Sequence, residues 1–352
     1  MTTTQTTEIS SRQENILEVR DTTVSFDMDN GISKVLNNTS IDIQRGEILG
    51  IVGESGSGKS MFASSLLDAV VEPGQLSGEI TYYPEEGEPI NVLDLDTDGI
   101  RSLRWEHISM VFQGAMSSFN PVMKIKEHFR ETLKAHGEGI QAGMDRAREL
   151  LDELHLDAER VLDSYPHELS GGMSQRALIA LSLVLEPDVL VMDEPTAALD
   201  LLMQRSIISL LSKVKEEYDL TLVFITHDLP LVAEIADRMA VMYAFDFVEV
   251  GDRREIIGNP AHPYTRALLA ATPNIESNIA EMRPIEGSSP DPFAIPNGCA
   301  YQDRCPLATE TCSEIDPDDY TVTDSHLVNC HHWEDSADAI PLHIRDSGGD
   351  PQ

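Results

Sequence analysis

From Leu17 the chain reads LEVRDTTVSF, TSIDIQ and GEILGIVG, short β-branched runs separated by turn-forming residues, and this pattern predicts strands that assemble into a sheet. Between about Ser117 and Leu185 the apolar period lengthens. In MDRARELLDELHL apolar residues recur three and four apart, which predicts a helical insert over about 115–185. DVLVMDE and LTLVFITHD are near-continuous apolar runs, the pattern of parallel strands buried on both faces. Beyond Gly258 the text turns Pro-rich and then holds all four cysteines, so an α/β unit over 16–258 is expected to carry a smaller second domain over 259–335. Residues 1–15 are polar and are expected to form a disordered tail, and 336–352 an acidic one. No internal repeat of fixed period is present.

Length and charge then narrow the partners. A chain of 352 residues supports a large core plus an appendage. Its longest apolar stretch, ALIALSLVL from Ala177 to Leu185, falls short of the ~20 residues a membrane helix needs and stops at Glu186-Pro187. The N-terminus lacks the basic start and apolar run of a signal peptide. The chain is therefore expected to stay inside the cell and to leave membrane passage to other subunits. Asp and Glu total 61 against 25 Lys and Arg, a net charge of −36. Nucleic acid is excluded as a partner, because binding it takes a basic face that displaces counterions. So much negative charge strains a compact fold in dilute buffer, but molar salt shortens the screening length to about 3 Å. A salt-rich cytoplasm, that of a halophilic archaeon, is the expected setting.

Residues 53–60 read GESGSGKS, between the apolar run EILGIV and the helical SMFASSLLDAV. This is a Walker A loop with both required flanks. Gly53, Gly56 and Gly58 let backbone N–H groups of the loop, which also holds Glu54, Ser55 and Ser57, turn inward around phosphates at a helix N-terminus. Lys59 is placed to neutralise the β and γ oxygens, and the Ser60 hydroxyl to ligate magnesium. VLVMDEP, Val189 to Pro195, ends a buried strand on two carboxylates. Strand side chains alternate in direction, so Asp193 can face the metal while Glu194 faces a water attacking the γ-phosphate. Ser170, Gly171 and Gly172, ahead of a helical run, form a second backbone nest with donors for a phosphate.

LSGGMSQR, Leu169 to Arg176, resembles the signature motif of the ABC-type ATPases and precedes the Walker B strand as it does in that family. The resemblance implies a P-loop NTPase core with a parallel sheet and a helical subdomain that carries the signature. It also implies a dimer, in which Ser170, Gly171, Gly172 and Gln175 of one subunit cover the γ-phosphate held by the Walker A loop of the other. Gln113 in SMVFQ is similar to the Q-loop glutamine, which reaches magnesium and the attacking water and reports on the permease. Asp200 in AALD, Ala197 to Asp200, resembles the D-loop at the dimer interface, and His227 in VFITHD the switch histidine that contacts the γ-phosphate. Phe26 in VSF stands where the family places an aromatic under adenine, with a core role as its rival. ATP and Mg2+ are the implied ligands, and hydrolysis coupled to solute transport the implied activity. Soluble ABC ATPases acting on DNA or ribosomes need a long coiled coil or two cassettes, and this sequence has neither.

GNPAHPYTRALLAATP, Gly258 to Pro273, resembles the segment that follows the ATPase core in the dipeptide and oligopeptide importers. Met173, with the downstream cysteines, resembles the D-type ATPase of that branch more than its F-type partner. The resemblance implies an F-type ATPase as second subunit, two membrane permeases, an extracellular solute-binding protein acting through them, and a peripheral place on the cytoplasmic face of the membrane. Relatives in this branch carry peptides, nickel or sugars. Gly114 and Ala115 depart from the family's Asp-Pro after Gln113, on the surface that meets the permease, and Ser174 replaces a basic residue of the signature. Cys299, Cys305, Cys312 and Cys330, in an intracellular protein, read as a metal site rather than two disulfides. Their spacing is unlike zinc CxxC knuckles and all-thiolate ligation suits iron-sulfur chemistry. The D subunits of the branch share this pattern with a four-iron (4Fe-4S) cluster. Zinc is the alternative, with His326, His331 and His332 crowding the last cysteine, and reduced structural thiols are the third reading.

Overall fold

Long β-branched runs at the N-terminal end pair first. β1 (Asn15–Met28) folds back on β2 (Gly31–Gln44), β3 (Ile48–Val52) leaves for another sheet, and β4 (Gly74–Tyr82) returns to β1 with β5 (Ile90–Asn91) at its side. The result is a four-stranded antiparallel sheet ordered β2-β1-β4-β5. The other strands are β6 (Ile108–Val111), β7 (Val189–Asp193), β8 (Thr221–Ile225), β9 (Arg238–Tyr243), β10 (Asp246–Asp252), β11 (Asp319–Thr323) and β12 (His326–Asn329). They join β3 in an eight-stranded sheet ordered β11-β12-β10-β9-β3-β8-β7-β6. The computed structural model describes residues 15–112, 114, 118–197, 199–272 and 285–342. Gln113 and most of both expected tails lie outside these residues.

β9, β3, β8, β7 and β6 run parallel, whereas β10, β12 and β11 continue antiparallel. The expected parallel sheet is therefore the middle of a mixed one. Parallel neighbours need a long crossover, but after Tyr243 the chain reverses in two residues, Ala244 and Phe245, both in the left-handed region at φ 48° and 77°. No Asn-Gly or Asp-Gly pair marks this turn in the sequence.

Alternating side chains of the central strands enter two different cores. Leu49, Ile51, Val189, Val191, Val223 and Ile225 face the antiparallel sheet and Phe62 of the helix Lys59–Ser65. Ile48, Leu190, Met192, Leu222 and Phe224 face the other way, toward the helices Leu201–Tyr218 and Leu229–Ile235 and the helical insert. Burial on both faces explains why these strands read as unbroken apolar runs. The insert comprises the helices Ile125–Ala135, Ile140–Glu153, Ala158–Asp163 and Gly171–Leu183. Met144, Ala147, Leu150 and Leu151 form the buried stripe of the second, at the spacing the sequence predicted. Among the described residues no helix is long and apolar enough to cross a membrane.

The segment after Gly258, read from the sequence as a smaller second domain, is joined to the main sheet and core. β12 pairs with β10 and extends the main sheet, while Tyr264 and Tyr301 sit in the same apolar cluster as the insert. Buried Glu249 fastens it in place. Its Oε1 accepts from the Ala261 N–H and lies 2.7 Å from His326 Nε2, and its Oε2 accepts from the His262 N–H at 3.1 Å. Ser336–Ala339, expected to open the acidic tail, instead form a short helix, and Arg266 donates to the Ile340 carbonyl at 2.7 Å. A buried guanidinium needs such acceptors, and this one draws the following chain onto the cap.

Candidate nucleotide site

Three neighbouring parallel strands, β3, β8 and β7, end on one edge of the sheet and deliver the site there. β3 runs into the Walker A loop and the helix Lys59–Ser65, β7 ends on Asp193, and β8 ends two residues before His227. The loop is wedged between β9 and β2. Gly53, at φ 157°, has no room for a side chain, since a Cβ there would stand 2.1 Å from the Met242 carbonyl oxygen. At Gly58, with φ 108°, it would stand 2.7 Å from the Val35 carbonyl oxygen. Ser55 and Gly56 remain exposed at the mouth, and Ser57 is buried beneath them.

Lys59 is buried, with Nζ donating to the Gly53 and Glu54 carbonyls at 2.9 and 2.8 Å. Burial pushes its ammonium down from the ordinary value, and Glu194, Asp193 and Glu54 pull in the opposite direction. Asp193 is buried as well. Burial pushes its carboxyl up, a hydrogen bond from Ser60 opposes this, and Glu194 adds to it. Among the described residues Asp193 Oδ1 has no hydrogen-bond partner. An unpaired buried carboxylate oxygen beside a serine hydroxyl fits a hard, oxygen-seeking cation, which is the donor set expected of magnesium. Glu194 adopts the left-handed conformation at φ 50°, and its two carboxylate oxygens lie 2.8 and 2.7 Å from His227 Nδ1. The family resemblance implied a role for His227 at the γ-phosphate; its contact with Glu194 had no sequence signal.

Residues 36–197 match the family model of the ABC transporters, and residues 248–312 that of the oligopeptide/dipeptide transporter C-terminal region. The chain is 38% identical to the dipeptide transport ATP-binding protein DppD of Caldanaerobacter subterraneus subsp. tengcongensis, over 91% of its own length and 98% of that relative's. It belongs to the ATP-binding subunits of the ABC transporters. The ABC subunit is also 40% identical to the oligopeptide transport ATP-binding protein OppD of Salmonella typhimurium, covering 86% of its own chain and 89% of that one. Its fold resembles the ATP-binding cassette MJ0796, solved as a dimer in a post-hydrolysis state with ADP and Pi. The TM-score is 0.58 at 30% identity, over 68% of this chain and 99% of that one. The P-loop ABC ATPase fold expected from the sequence is thus present, and with it an ATPase coupled to transport.

The other expected site residues of the ABC subunit make contacts of their own. Ser170 caps the helix Gly171–Leu183, its Oγ accepting from the Met173 N–H at 3.3 Å. Gly171 and Gly172 approach Leu199 and Met203 instead. Gln175, expected at the nucleotide, is buried within its own chain and its amide nitrogen has no partner among the described residues. Asp200 accepts from the N–H groups of Leu202 and Met203, each at 3.0 Å, and so caps the helix Leu201–Tyr218. Phe26, expected under adenine, is half-buried with its ring edge beside Gly74.

In the cap the Cys299 N–H donates to the Cys312 carbonyl at 2.8 Å, and the four thiols stand near enough to influence one another electrostatically. Burial pushes the Cys299 thiol up to about 11 and the Cys330 thiol up to about 12. Among the described residues no group of three or more His, Cys, Asp or Glu side chains is set to hold a metal ion. The histidines that favoured zinc are otherwise engaged. His326 meets Glu249, His331 Nε2 lies 3.0 Å from the Ile315 carbonyl, and His332 Nε2 lies 2.9 Å from Thr309 Oγ1. Sequence reading missed the residues that surround Glu54, namely Tyr264, Ser289 and Arg304. The one signal available was an arginine immediately before Cys305 in a chain poor in basic residues.

Proposed function

We propose that this chain is the D-type ATPase of a dipeptide and oligopeptide importer, working at the cytoplasmic face of the membrane with an F-type ATPase, two permeases and an extracellular solute-binding protein. The observation that carries the nucleotide reading is the convergence of Lys59, Ser60, Asp193, Glu194 and His227 at adjacent strand ends. Magnesium, held by Ser60 and Asp193, would spread the charge of the β and γ phosphates. Lys59 neutralises the same oxygens from the loop, Glu194 takes the proton of the attacking water, and His227 orients the Glu194 carboxylate. Phe26 is assigned to adenine, and Gln113 to communication with the permease.

The need for a partner follows from the signature. Gly171 and Gly172 lie beside Leu199 and Met203 of their own chain and Ser170 caps its own helix, and the donors of this turn are assigned to a facing subunit, as the family resemblance implies. Leu201 and Leu202, 74% and 82% exposed beside Asp200, give that face apolar surface. The dimeric form of the cassette MJ0796 supports the same arrangement. For the cap we propose a 4Fe-4S cluster held by Cys299, Cys305, Cys312 and Cys330. All-thiolate ligation suits iron-sulfur chemistry, and the four thiols stand near enough to influence one another electrostatically. The charge of −36 supports a salt-rich cytoplasm, that of a halophilic archaeon.

Anaerobic co-purification at molar KCl with the F-type ATPase, permeases and binding protein tests this reading. A one-to-one ATPase pair, brown in colour, with ATP hydrolysis stimulated by peptide is the expected outcome. A stable homodimer at full turnover without permease would overturn the partner assignment, and colourless protein with one stoichiometric zinc would overturn the cluster.

A further inference from the structure

The C-terminal cap grips the Walker A loop at Glu54. Arg304 Nη1 and Nη2 donate to the two Glu54 carboxylate oxygens at 3.0 Å each, a two-pronged ion pair. Ser289 Oγ donates to the same carboxylate at 2.6 Å, and the Tyr264 hydroxyl accepts from the Glu54 N–H at 2.9 Å. Arg304 is itself fixed, with a side chain 6% exposed. Its Nε donates to the Glu286 carbonyl at 2.8 Å, and its guanidinium lies 5.6 and 5.8 Å from the ring centres of Tyr243 and Tyr301. On the other side of the loop the Glu54 carbonyl accepts from Lys59 Nζ at 2.8 Å. A single residue thus links the cap to the phosphate-binding lysine.

A carboxylate in this loop is unfavourable for the chemistry expected there, because its charge repels the phosphates and attracts Lys59 away from them. Arg304 cancels that charge and fixes where it stands. Resting on the nucleotide-site reading above, we infer that Arg304 is a positioning residue for ATP: by pairing with Glu54 it holds the Walker A loop in its phosphate-accepting shape. The cap is then a working part of the nucleotide site. Arg304 ends the 3-10 turn Gln302–Arg304 between Cys299 and Cys305, so these cysteines and the Walker A loop share one support.

Binding of a fluorescent ATP analogue to the full-length chain, with hydrolysis by the assembled transporter, tests this in Arg304→Met, Arg304→Lys and the double variant Arg304→Met/Glu54→Gln. Arg304→Met leaves the Glu54 carboxylate with the Ser289 hydroxyl and without a counter-charge, and is expected to raise Kd and KM about tenfold while kcat changes less than about twofold. Arg304→Lys, which keeps the charge and loses the fork, should fall between. In the double variant the repelling charge is gone and affinity should return to within about threefold of wild type, a non-additivity that a merely structural role would not produce. Unchanged affinity in folded Arg304→Met, or losses that simply add in the double variant, would overturn the inference. A wild-type chain that bound no nucleotide would instead remove the site reading beneath it.

Discussion

At the residue scale the two acids that end β7 are separated by environment. Asp193 is buried next to Ser60 with one oxygen unpaired, whereas Glu194 is turned by its left-handed backbone onto His227. Glu194→Gln therefore keeps the metal side of the site and loses the base. It is expected to bind ATP with near-normal affinity and to lose turnover by about 10²–10⁴-fold. Asp193→Asn should weaken magnesium-dependent binding instead. Nucleotide binding with and without magnesium, beside steady-state hydrolysis, separates the two; near-normal turnover in Glu194→Gln would refute the division. The sequence showed both acids, but strand alternation does not set Glu194, which lies one residue beyond β7 in the left-handed region. Nor could the sequence show the His227 contact, because that depends on β7 and β8 lying side by side.

At the scale of elements the helix Pro263–Ala271 shows how the cap is attached. His262 accepts from the Tyr264 N–H through Nδ1 at 2.9 Å, and complete burial lowers its pKa to about 3. A histidine in the unfolded chain takes up a proton near pH 6.5, and the folded one does not. The stability this supplies is full above about pH 6.5 and is lost as pH falls from there toward 3, by about 2 kcal/mol at pH 5. His262→Asn keeps an acceptor for the cap and has no proton to bind. Compared with wild type in denaturant melts at pH 7.5 and 5, it should flatten this part of the pH dependence while costing about 1 kcal/mol or more at neutral pH through lost packing. Equal pH slopes in the two proteins would show that His262 is not the group responsible. The sequence reading drew no helix from HPYTRALLAA, and it could not show the burial of His262, since that depends on contacts with Glu249 of β10.

At the scale of the whole molecule the charge of −36 dominates, because self-repulsion acts on every folded copy and shrinks with the screening length. The melting temperature is expected to rise from 0.1 to 2 M KCl, as followed by circular dichroism; no rise would contradict the salt-adapted reading. Charge and composition were fully given by the sequence, as were the Walker A loop, the carboxylate pair and the signature, because each is a local pattern whose chemistry needs adjacent residues. The alternation that fills both sides of β3, β7 and β8 was equally local. Tertiary structure alone decided what depends on distant segments meeting. The hairpin at Ala244–Phe245 made the sheet mixed, pairing of β12 with β10 joined the C-terminal segment to the main sheet, and Gln175 was drawn inward. The same folding brought Arg304 to Glu54 across most of the chain, a contact no spacing rule encodes, since a bidentate ion pair is fixed by position in space and leaves no period in the sequence.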